Sequence, residues 1–173
     1  MKIKHLIISI IIATSLSACL EGSSNYAPDL ALATPFVIGG DSLSIYYTDN
    51  GLVMDTIHIG DTVQFLVAMT AYTNNLTAFY LKQSADSVSR VILPRKTSLD
   101  SIFNSQSNYQ VGIFKIDKGI AQLYFPFQYI ATKKSNEAKI EMAVESDAKF
   151  DNGMLAGNNS NYKSIIIRTP IAE

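Results

Sequence analysis

From about Phe36 onward the chain alternates apolar and polar residues with a period of two, and Gly, Asn or Asp breaks the runs roughly every ten residues. Successive side chains of an extended strand point to opposite faces, so this alternation writes strands with one apolar side. No segment carries the ten or more residues of helical period that a βαβ crossover needs. Antiparallel pairing is the economical topology, and the apolar faces must then be covered by a second sheet or closed into a barrel.

The clearest unit is Leu43 to Thr48, then Asp49-Asn50-Gly51, then Leu52 to Ile59, which predicts a hairpin in which Asn50-Gly51 supplies the positive φ angles of a type I′ turn. A new strand starts at Gly60-Asp61-Thr62, with Val63, Phe65, Val67 and Met69 in the phase that faces the core. Asn74-Asn75 turns the chain into Leu76 to Lys82, apolar in both phases and therefore expected at the centre of a sheet. Ser87 to Leu93 is a short strand stopped by Pro94, which lacks an amide proton. Thr97 or Ser98 is placed to cap a helical turn through Leu99, Ile102 and Phe103. Tyr109 to Ile116 and Ile120 to Ile130 read as a second hairpin around Asp117-Lys118-Gly119. Pro126 should make its return strand an edge or force a change of sheet. Ala138 to Ser146 and Tyr162 to Ile171 complete the set.

Seven to about nine strands in this length predict an all-β fold, an antiparallel immunoglobulin-like β-sandwich, with a lipocalin-like up-and-down barrel as the alternative. The irregular 94–108 stretch and Pro126 suit Greek-key connections better than uninterrupted hairpins. With no Trp and a single Cys, the likeness to immunoglobulin domains is one of architecture only.

The N-terminus belongs to a different regime. Lys2 and Lys4 precede the apolar run Leu6–Ala13, and Thr14, Ser15 and Ser17 follow. That run is too short to span a bilayer, which takes about 20 residues, and suits the apolar part of an export signal. Leu16-Ser17-Ala18-Cys19 then resembles the lipobox of bacterial lipoproteins, possibly of Bacteroidota type. The resemblance implies a signal peptide at 1–18 and a diacylglycerol thioether on Cys19, usually with a further acyl chain on its amine. It also implies attachment to the cell envelope. Leu20 stands where an aspartate favours inner-membrane retention, so the outer membrane is expected; the facing direction is left open, since only Glu21 matches the acidic surface-export tags. Cys19 is also the only cysteine, and acylation accounts for an odd thiol in an exported chain. Residues 19–35, broken by Gly22, Pro28 and Pro35, read as a flexible tether reaching at most about 50 Å, and 36–173 as one β domain.

Loss of residues 1–18 leaves 155 of 173 and removes two lysines, so 12 basic face 15 acidic side chains, a net charge of −3. With Arg95-Lys96 and Lys133-Lys134 as isolated pairs, nucleic acid is not an expected partner. Once the signal and His5 are gone, His58 is the only histidine and makes no triad. Weak calcium candidates are Asp147, Asp151 and Asn152 in a Gly- and Asn-rich loop, although Lys149 and Asn152 break the EF-hand register. Asp117, Glu137, Glu141 and Glu145 read as a turn residue and a polar strand face, and neither a nucleophile elbow nor a phosphate-binding loop occurs. Catalysis is therefore not expected, nor any cofactor beyond the covalent lipid. Nine Tyr and eight Phe carry the remaining information, because exposed tyrosines stack on sugars or anchor protein contacts. Tyr46, Tyr47, Tyr72 and Tyr124 are the candidates. The expected role is a non-catalytic binding or adhesion module for protein or glycan, held by its lipid at the outer membrane. The alternatives are an accessory subunit of an envelope assembly or a small-ligand barrel.

Overall fold

The computed structural model describes residues 26–84, 87–117, 119–150 and 160–173. The signal segment, Cys19 and the loop residues Asp151 and Asn152 lie outside them. Two sheets carry the fold. One orders β1 (Asp29–Leu32), β6 (Thr62–Thr70), β10 (Gln122–Ala131) and β8 (Ser89–Ile92), with β2 (Phe36–Val37) also pairing to β6. The other orders β3 (Ile45–Thr48), β4 (Gly51–Met54), β12 (Tyr162–Arg168), β11 (Lys139–Ser146), β7 (Leu76–Gln83) and β9 (Ile113–Lys115). A small two-stranded element joins β5 (Ile57–His58) to β13 (Ile171–Ala172). Neither main sheet closes on itself, so the chain is an all-β sandwich and the barrel alternative is set aside.

The alternation of the sequence explains the core. Val63, Phe65, Val67 and Met69 of β6 and Phe125, Phe127 and Tyr129 of β10 are buried on one side of the interlayer space. Phe79 and Leu81 of β7, Phe114 of β9, Ile140, Met142 and Val144 of β11, and Ile167 of β12 fill the other. Phe125 links the layers, its ring 5.1 Å from Phe79 and 5.0 Å from Phe114. Tyr129 keeps its buried hydroxyl satisfied by Thr169 Oγ1 at 2.8 Å. As expected, β7 is flanked on both sides, by β11 and β9.

Several expectations change. Thirteen strands occur among the described residues, more than nine, because short pairs such as Phe36–Val37 and Ile171–Ala172 carry too little sequence to show a period. Pairing is mostly antiparallel, but β12 runs parallel to β4 and β13 parallel to β5. The tether does not extend to residue 35, because Asp29–Leu32 pairs in register with Thr70–Val67 and Leu30 enters the core. The 45–54 hairpin forms, yet only Gly51 takes positive φ, at 96°, while Asn50 does not. Thr48 Oγ1 instead accepts from the Asn50 N–H and donates to the Gly51 carbonyl, so the turn closes on the glycine without a type I′ pair. In α1 (Lys96–Leu99) Arg95 holds the cap position with no side-chain bond, and Thr97 and Ser98 lie inside the turn; Leu99 and Phe103 are buried as expected.

The predicted hairpin at 109–130 does not form. Tyr109–Val111 is a 3₁₀ turn, β9 pairs with β7, and β10 pairs with β6 and β8 in the opposite sheet. Ile116, which donates to Thr77, and Ala121, which accepts from Ala71, therefore lie in different layers. Pro126 is accommodated in a way intermediate between the two expected. Its strand is flanked by β6 and β8, but the Leu66 carbonyl accepts from Ala33, on the side away from β10. The Leu66–Pro126 pair is thus a non-hydrogen-bonded one, and the proline nitrogen faces the flank where β8 covers only Gln128–Ala131.

Gly112 ends the 3₁₀ turn at φ 69°, and its carbonyl accepts from Leu81. A Cβ there would lie 1.8 Å from the Leu81 carbonyl oxygen. Gly112→Ala is expected to pull β9 off β7, which is checked by loss of amide-exchange protection at Leu81 and Ile116, whose N–H groups donate to the Gly112 and Thr77 carbonyls across this pair; unchanged protection would refute it.

Candidate functional site

The two outer faces of the sandwich differ in chemistry. On the β1–β6–β10–β8 sheet the outward phase presents rows set by the strand register. Phe36, Gln64, Gln128 and Ile92 form one row, Leu66 and Pro126 the next, and Ala31, Ala68 and Tyr124 a third. Tyr124 is 67% exposed, Phe36 44%, Leu66 39% and Ile92 38%, so apolar groups stand in water across the whole sheet. Gln64 braces the centre, donating 3.0 Å bonds from Nε2 to the Phe65 and Phe127 carbonyls and taking a 3.4 Å bond from Gln128. Only Asp29 and Arg90 bring charge to the outward phase of these strands.

The outer face of the other sheet carries more charge, beside exposed Ile166 and Tyr162. Lys82, Lys115, Lys139, Glu141, Glu145 and Arg168 occupy its outward phase. Lys115 Nζ donates to the Tyr80 hydroxyl at 3.0 Å, which donates to Glu145 Oε2 at 3.0 Å. The hydrogen bond to the Tyr80 hydroxyl, with the Glu145 charge, holds the Lys115 ammonium above its ordinary pKa against the opposing effect of burial. An amine held protonated in this way is a poor base. A groove of about 340 Å³ beside it is floored by Ala143 and walled by Tyr80 and Tyr162.

The four tyrosines expected to bind ligands are all exposed, but they do not form one patch. Tyr46 and Tyr47 sit on β3, Tyr124 on the apolar face of the first sheet, and Tyr72 on the turn after β6. Tyr72 is the only non-glycine among the described residues with positive φ, 56°, a conformation that costs about 1–2 kcal/mol.

Of the calcium candidates, Asp147 is described, and its carboxylate is committed to the chain: Oδ1 accepts from the Asn75 backbone at 2.7 Å and Oδ2 from the Asn75 side chain at 2.8 Å. These bonds hold Asp147 below the usual carboxylate pKa, the side-chain amide contributing most. Among the described residues no group of three His, Cys, Asp or Glu is placed to hold a metal ion. His58 is exposed beside Asp61 at 3.8 Å. Lys96 pairs with Asp100 and Lys134 with Glu173.

No protein-family model matches the chain, and no curated protein is significantly similar to it. Sequence reasoning missed the row through Phe36 and Ile92, although Leu66, in the outward phase of an otherwise polar set, was a visible signal. It also missed Tyr26, which lay in the presumed tether.

Proposed function

We propose that the protein is a lipid-anchored, non-catalytic binding module of the cell envelope, at the outer membrane, and that it engages a protein or glycan through the outer face of the β1–β6–β10–β8 sheet. The observation that carries this reading is the contrast of the two faces. One carries six charged side chains among exposed Ile166 and Tyr162, and the other exposes Phe36, Leu66, Ile92 and Tyr124 with only Asp29 and Arg90 for charge. Contiguous apolar surface depleted of charge is the composition of an interface core. The glutamine pair at its centre adds donors and acceptors suited to hydroxyl or amide groups of a partner. The lipid anchor on Cys19 rests on the Leu16–Cys19 sequence.

The test is a glycan array and an envelope-extract capture with wild type, Leu66→Lys, Tyr124→Ala and Lys82→Ala. A charge at Leu66 or loss of the Tyr124 ring is expected to weaken retention of the same ligand at least tenfold, about 1.4 kcal/mol, with Lys82→Ala unaffected. Equal retention by all four proteins would refute the assignment of this face. An accessory-subunit role would instead give co-purification of a fixed envelope complex, lost in the same two variants.

A further inference from the structure

We infer that the end of the sandwich formed by Tyr26, Tyr72 and Tyr162 rests on the phospholipid headgroup layer, an inference that depends on Cys19 being the lipid anchor. The Tyr26 and Tyr72 rings meet at 5.6 Å, and the Tyr26 carbonyl accepts from Asn74 Nδ2 at 3.4 Å, so the start of the described chain is fastened to the turn after β6. Tyr72 and Tyr162 line one open groove with Ala27, Pro28 and Lys163. The three rings are 53%, 50% and 44% exposed, each offering an apolar body and a hydroxyl at its tip. That is the side chain favoured where hydrocarbon meets water.

The length of chain ahead of Tyr26 selects the occupant. Six residues, 20–25, separate Cys19 from it, and the seven Cα–Cα steps span at most about 25 Å. The ten residues of β10 alone run about 33 Å along the sandwich. The anchor therefore cannot reach past the body to bring the opposite end to the bilayer, and the tyrosine end is the one held against it. Asp29 and Lys163 line the groove and Asp147 with Lys149 lies beside the adjoining turn, so the charges of both signs balance and the contact depends on aromatic partition and is insensitive to salt. In this orientation the sheets stand upright and the apolar face is open along its length.

The chain has no tryptophan, so a single substitution supplies the only tryptophan emission. Intact acylated protein in vesicles of phosphatidylethanolamine and phosphatidylglycerol would carry Tyr72→Trp, Tyr162→Trp or Phe36→Trp. Phe36 pairs with Gln64, six residues and about 20 Å along β6 from Thr70. Tyr72→Trp and Tyr162→Trp are expected to show blue-shifted emission and at least twofold stronger quenching by lipids brominated near the headgroup than Phe36→Trp, at low and high salt alike. Adding Tyr72→Gly, whose backbone adopts positive φ freely, should halve the quenching at Tyr162→Trp without unfolding the protein. Equal quenching at all three positions in protein that floats with the vesicles would overturn the docked orientation and leave the anchor intact. Wild-type protein that carries no acyl mass and does not float would overturn the anchor, and the orientation with it.

Discussion

Truncating Phe125 to alanine is expected to destabilise the domain by about 3–5 kcal/mol, the range for removing a fully buried aromatic ring. The ring is 2% exposed and lies within 5.8 Å of Phe79, Phe103 and Phe114, with Phe127 at 6.5 Å. Phe79 and Phe114 belong to the opposite sheet, so the loss falls on the contact that holds the layers together. A domain of this size has about 5–15 kcal/mol of stability in total, and the chain has no disulfide to compensate. Urea denaturation followed by circular dichroism, on the chain from residue 20 onward, measures the change. A loss below about 1 kcal/mol would mean that neighbouring side chains collapse into the space, and that the layers do not depend on this ring.

Cys19→Ser is expected to move the protein entirely from the membrane fraction to the soluble fraction and to remove all acyl mass. The magnitude follows from burial of hydrocarbon at about 0.8 kcal/mol per methylene: one myristoyl-length chain binds reversibly, whereas two or three anchor stably. Among the described residues no helix is long and apolar enough to cross a membrane, so nothing in them substitutes for the lipid in that way. Mass spectrometry and fractionation together decide the matter. Wild-type protein found soluble and unmodified would refute the lipobox reading, while a variant that stays with the membrane would point to a second attachment.

The parts of the fold written in local alternation were legible. The core phase of β6, the two apolar phases of β7 and the hairpin at 45–54 needed only the period of two and a glycine. What the sequence concealed was partner choice. Tyr109–Ile116 and Ile120–Ile130 are separated by a hairpin-length turn, and the decision against pairing them rests with Phe114, which packs on Phe79, Phe103 and Phe125 at a distance in sequence. β1 was hidden because its four residues lie between Pro28 and Pro35, too few to show a period. At the site level, Tyr46 and Tyr47 stand in opposite phases, so alternation could place only one of them at the surface, and both are exposed because β3 is the end strand of its sheet. The dispersal of Tyr46, Tyr47, Tyr72 and Tyr124, and the company of Tyr26 and Tyr162 around Tyr72, required the strand register.

Pro126 carries a consequence for how copies of this protein meet. Among the described residues the first half of β10, Gln122–Phe127, has no strand hydrogen-bonded on the side away from β6, and such an open flank is a template onto which another extended chain can add. The missing N–H falls within that stretch and leaves a gap in any ladder laid along it. Growth of the sheet strand by strand, the route to aggregation, is thus blocked beside the stickiest surface of the molecule. If the face bearing Leu66 and Tyr124 binds as proposed, it can associate flat-on with its partner without also seeding fibres of its own kind.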